Sequence, residues 1–190
     1  IYRIFVEKKE NLQAKKTRAD LDAQLGIAVE DFREILRYDV EGLSQEELKE
    51  AIVNVFSEPP VDNVYLENMD RGEDYKVFAV SYLNGQYDQR ADSAAQCVQL
   101  LTRKARPLVR CARVYAVKGV TDAELARIKK HLINPVESEE VSLDKPETLR
   151  RAKMQTQDVK EIAGFIDMSV NEIANYHTKC GFAMSVEDLV

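Results

Sequence analysis

The chain has no tryptophan, two histidines and three cysteines in 190 residues. Three thiols at Cys97, Cys111 and Cys180 cannot form a full disulfide framework. Their wide spacing fits reduced thiols in a cytoplasmic protein. Basic excess is missing as well. The net charge of −6 and the pI near 5.1 argue against a nucleic-acid or acidic-membrane surface. No apolar run approaches the length of a membrane span, and the first residues carry no signal-peptide pattern. With seven Gly, five Pro and 45% apolar residues, the composition is globular, in one large or two small domains.

What the chain has is alternation between two periods. YRIFVE (Tyr2 to Glu7) alternates as a strand. Asn11 to Leu25 reads as a charged helix anchored by Leu12, Leu21 and Leu25, with Gly26 as its stop. EILRYDVEG (Glu34 to Gly42) is a strand with Leu36, Tyr38 and Val40 on one face. Leu48, Ala51, Ile52 and Val55 form a helical stripe behind a capping box at Ser44 and Glu47, and Pro59-Pro60 ends it. VDNVYLE is a further strand.

The pattern then recurs. YKVFA (Tyr75 to Ala79) matches YRIFV, and the helix after Asp88 follows. From RVYAVKG (Arg113 to Gly119) an ungapped register holds at an offset of 77 residues. Tyr38 falls on Tyr115, Val40 on Val117, Gly42 on Gly119, Ser44 on Thr121, Glu47 on Glu124 and Leu48 on Leu125. Val64 and Leu66 fall on Val141 and Leu143. The expected fold is α+β: two duplicated βαβαβ units, about 1–70 and 71–144, related by a pseudo-twofold. Their sheets should pack face to face or join at their edges, with the helices outside.

Residues 145–190 differ. A charged passage from Ser138 to Glu161 contains the last strand and then a linker by composition. A helix capped at Ser169 and stopped at Gly181 carries Ile173 and Tyr176 inward, and SVEDLV begins another helix. A helix left unfinished there leads to the expectation that the chain is a fragment.

Chemistry has little to stand on. Asn84-Gly85 supports a turn rather than a phosphate cradle. His177 and Cys180 lie three apart on a helix with no further His or Cys beside them in sequence, so no metal site is assigned. His131 reads as a solvated helix residue, and no Ser, Cys or Lys is flanked by a recognisable base. Catalytic, cofactor and metal residues are therefore assigned to none. The unusual stretch is QYDQRADSAAQCVQLL (Gln86 to Leu101), with Asp88, Gln89, Arg90 and Asp92 at the mouth of a helix. The aspartates suit the positive end of the helix dipole; Arg90 opposes it by a few tenths of a kcal/mol and needs a partner.

GQYDQRADSAAQCVQLL closely resembles a segment of the phosphoribosylformylglycinamidine synthase family, in its long single-chain form. YRIFVEKK, RYDVEGLSQEE with VFSEPPVDNVY, and HLINPVESEE agree in the same order, and GFAMSVEDL looks like the start of the family's linker domain. The resemblance covers essentially the whole chain. It implies an N-terminal domain similar to two fused copies of the small PurS-type subunit, without catalytic residues of its own. The family's ligase converts formylglycinamide ribonucleotide with glutamine and ATP in purine biosynthesis. ATP and Mg are expected in the full-length enzyme, outside this segment. The expected partners are the synthetase and glutaminase domains of the same chain, with no nucleic acid and no membrane. Asp88, Gln89, Arg90 and Asp92 are the candidate interdomain interface. Two rivals are a duplicated regulatory module binding small molecules such as amino acids, which lacks its usual glycine-rich loop in EKKENLQ, and a sheet that binds RNA, which the acidic charge disfavours.

Overall fold

The computed structural model describes residues 1–150 and 161–189. Two compact units, Ile1–Arg151 and Ala152–Val190, divide the chain.

The first unit is α+β. Strands β1 (Tyr2–Lys8), β2 (Asp31–Glu41), β3 (Asp62–Leu66), β4 (Tyr75–Tyr82), β5 (Leu108–Lys118) and β6 (Ser138–Val141) form one antiparallel sheet, ordered β3-β1-β2-β5-β4-β6. Helix α1 (Leu12–Leu25) joins β1 to β2, and α2 (Gln45–Ala51) follows β2. Helices α3 (Gln89–Thr102) and α4 (Asp122–Leu132) take the same places around β5. The two halves thus join at their edges, through a ladder in which β2 and β5 pair along their whole length.

The local chemistry is visible. After β2 and β5 the chain turns at Gly42 and Gly119, both at positive φ. A Cβ on Gly119 would also lie 2.6 Å from that of Glu30. Ser44 with Glu47, and Thr121 with Glu124, close both expected capping boxes. Glu47 is held down to about 2 by Lys104 and the Ser44 amide. α2 runs into a π-helical turn at Ile52–Phe56 and stops before the prolines.

The helices are exchanged across the seam. α3 sets Ala94 and Val98 against Ile4, Tyr38 and Leu48 of the first half. α1 sets Ala14 and Leu21 against Phe78, Tyr115 and Ile128 of the second. Each half therefore completes its core with a helix from the other, and neither has a complete core alone. Leu12, expected as an anchor, is 68% exposed; Ala14 and Thr17 take the inward positions of α1.

Two sequence matches shift by one residue. Tyr2 pairs with Val40, but Val117, the counterpart of Val40, pairs with Lys76 rather than Tyr75. Ile4 therefore corresponds to Phe78, and Phe5 lies on the face away from the helices. Likewise Val64 packs in the helix-side cluster and Val141 on the opposite face. Strand side chains alternate, so a one-residue slip reverses the face of every residue and similar letters do not secure register.

The sheet's other face is covered in part by the segment 142–150. Arg3, 3% exposed, holds Asp39 through Nε and Nη2 at 2.5 and 2.9 Å and donates to the carbonyls of Leu143 and Asp144. Arg37 donates to Ser142 O, and Arg110 to Leu149 O. Glu41 accepts from Leu149 N at 2.6 Å. The charged passage expected as linker thus starts as a strap on the sheet; its 151–160 portion lies outside the described residues.

In the second unit, α5 (Val170–Cys180) begins at a Ser169–Glu172 capping box and ends at Gly181 in the left-handed region. Ile173 is buried, and Tyr176 lies between the rings of Phe165 and Phe182. Ser185 and Asp188 close a turn where SVEDLV was expected to begin a helix; Asp188 N donates to Ser185 Oγ at 3.3 Å. No helix among the described residues is long and apolar enough to cross a membrane.

Candidate functional site at the sheet seam

The start of α3 stands over the β2–β5 seam, and its four candidate residues separate there. Asp88 is the N-cap, accepting from Ala91 N at 3.0 Å. Asp92 is tied inward. It accepts from Tyr87 Oη and Gln96 Nε2, both at 2.9 Å, and forms an ion pair with Arg106. Arg106 and these hydrogen bonds hold its carboxyl below the usual range. Gln89 and Arg90 are exposed. Asp92 braces the helix to the segment before β5, which leaves Gln89 and Arg90 as the accessible pair.

Arg90 finds its partners on the neighbouring strand. It interacts with the Tyr38 hydroxyl and acts on Glu34. These contacts supply the partner that a cation at a helix N-terminus needs. Across the seam, Arg113 interacts with the Tyr115 hydroxyl and lies 3.6 Å from Glu34. Burial pushes Glu34 up, against the opposing pull of Arg113 and Arg90. Burial also pushes the Cys111 thiol far up, which removes it as a nucleophile.

Tyr38, Asp88, Arg90, Cys111, Arg113 and Tyr115 line a cleft of about 710 Å³. Leu36 pairs with Arg113, its counterpart at the 77-residue offset, so the cleft floor contains the point where the two halves meet. Tyr38 pairs with Cys111, and Tyr115 with Glu34. Both pairs are counterparts at the 77-residue offset, Tyr38 with Tyr115 and Glu34 with Cys111, but only the tyrosines keep their residue type.

The same offset places Asn11 on Asp88, and both cap their helices. Asn11 also donates from Nδ2 to Glu34 O at 2.7 Å, a bond an ionised aspartate cannot make. Asn11, in EKKENLQ, is thus the counterpart of Asp88, with a neutral amide in place of the carboxylate. Sequence reading singled out Arg90 and Asp88 but missed Glu34 and Arg113. The available signal was that both lie on the inward face of strands already paired by the offset.

His177 and Cys180 have other neighbours. His177 Nε2 lies 2.5 Å from Met184 O, and Cys180 interacts with Tyr176. Among the described residues, no three His, Cys, Asp or Glu side chains gather as a metal site.

No protein-family model matches the chain. A search of curated proteins likewise gives no match.

Proposed function

We propose that this chain is the N-terminal PurS-like domain, with the beginning of the linker, of a phosphoribosylformylglycinamidine synthase. Its role is to scaffold the synthetase and glutaminase parts and couple them. The resemblance in GQYDQRADSAAQCVQLL and three further blocks motivates the assignment. The structural observation that supports it best is the seam itself. Residues 77 apart meet as Leu36 and Arg113, and the β-α-β-α-β order occurs on both sides. Two fused copies of one unit would have this arrangement, with their helices exchanged as in an obligate dimer.

The reaction consumes formylglycinamide ribonucleotide, glutamine, ATP and water. It yields formylglycinamidine ribonucleotide, glutamate, ADP and phosphate. Ammonia is released at one site and used at another, so a joint that fixes their separation has value without doing chemistry. Gln89 and Arg90, exposed above the seam, are the docking residues of this reading.

The chain 1–190 alone should neither hydrolyse glutamine nor turn over ATP. Glutamate release and phosphate release are the assays. Turnover above a mock preparation, abolished by a point substitution in this chain, would place chemistry within it and contradict the proposal.

A further inference from the structure

The seam cleft holds charges of both signs around an apolar floor. Arg90 and Arg113 line it, the latter with its side chain half exposed. Asp88 lines the same wall as Arg90, and one of its oxygens is engaged in capping. Leu36, Val55 and Leu132 provide apolar surface, the last two being counterparts at the 77-residue offset. Tyr38 and Tyr115 are anchored in the core by Phe56 and by Phe32 with Phe78. A volume of about 710 Å³ is of small-molecule size.

A simple anion in this cleft would lie near Asp88 and a simple cation near two guanidiniums. A ligand carrying both charges on one small centre, with an apolar side chain, leaves neither set unmatched. We propose that the cleft binds a free α-amino acid with an apolar side chain. Arg113 and Arg90 receive its carboxylate, Asp88 receives its ammonium, and the side chain lies on Leu36 toward Val55 and Leu132. Arginine is suited to the carboxylate because its planar fork presents paired donors. The site shares Arg90 with the docking role proposed above, but its test concerns the isolated chain and no enzymatic activity, so the two readings fail separately.

The test is calorimetric titration of the 190-residue chain with L-leucine and L-phenylalanine. 4-Methylpentanoate, which is leucine without the ammonium, and isoamylamine, which is leucine without the carboxylate, are the controls. At least one amino acid should bind saturably with a Kd near or below about 1 mM. Arg113→Gln should weaken it at least about tenfold while leaving the thermal midpoint of the free protein nearly unchanged. Asp88→Asn should weaken it too, and it keeps the helix cap, as Asn11 does at the matching position. Absence of saturable binding overturns the proposal. So does equal binding of 4-methylpentanoate, or affinity indifferent to both substitutions in folded protein.

Discussion

Asp39→Ala should destabilise the chain by about 3–5 kcal/mol, because it leaves two buried guanidiniums without their carboxylate. Asp39 is 4% exposed, and Arg3 and Arg37 are 3% and 7% exposed. Arg3 grips both Asp39 oxygens, and Arg37 Nε lies 3.4 Å from one of them. Burial already lowers the Arg37 pKa, with Asp39 as the opposing influence. The same arginines hold the carbonyls of Ser142, Leu143 and Asp144. Urea unfolding would give the stability change, and limited proteolysis near residues 142–150 should accelerate beyond what global unfolding explains. A loss below about 1 kcal/mol would be the magnitude of an exposed ion pair and would refute a buried cluster. Replacing all three charges by apolar residues of similar size should recover much of the loss, since desolvation of the charges is then avoided.

Phe78→Ala should cost about 3–5 kcal/mol through lost burial and the cavity left behind. Its ring is 1% exposed, lies 5.2 Å from that of Tyr115, and packs in the cluster that contains Ile128. The strand register makes a sharper demand. Phe78→Ala and Ile128→Val should be non-additive, because the residues share one cluster, whereas Phe5→Ala and Ile128→Val should add. Denaturant titration of both double-mutant cycles is the measurement. Coupling of Phe5 with Ile128 would mean that Phe5 and Phe78 occupy equivalent faces after all.

That cycle bears on what the sequence discloses. Capping boxes, turn glycines and the Tyr38/Tyr115 strands were legible because each is a local pattern with a fixed spacing. The 77-residue offset extends through α1 and α3, from Asn11/Asp88 to Gly26/Arg103, the latter pair both left-handed at the helix end. It fails at β4, where the longer β4–α3 connection changes the spacing and an attractive YRIFV/YKVFA match conceals the slip. The α-helix exchange was not legible: α1 is mostly polar, and nothing in its letters says which half of the sheet receives Leu21. Nor was the buried Arg3–Asp39 pair, since in sequence both look like ordinary polar residues in half-exposed strands. At the site, Arg90 stood out because it opposed a local rule. Its partners Tyr38 and Glu34 lie over fifty residues away in sequence and meet it only through the exchanged packing.

Under the proposed function, this domain couples ammonia production to ammonia use. The direct measurement is formylglycinamidine ribonucleotide formation by the full-length polypeptide, with glutamine and with ammonia as alternative nitrogen sources, in the native protein and in Arg90→Ala. Because Arg90 is exposed, the substitution should cost the fold only about 0–1 kcal/mol. Glutamine-dependent synthesis should fall well below the native rate while ammonia-dependent synthesis is nearly kept. Equal loss of both, or a native full-length polypeptide that forms no product from either nitrogen source, would contradict it.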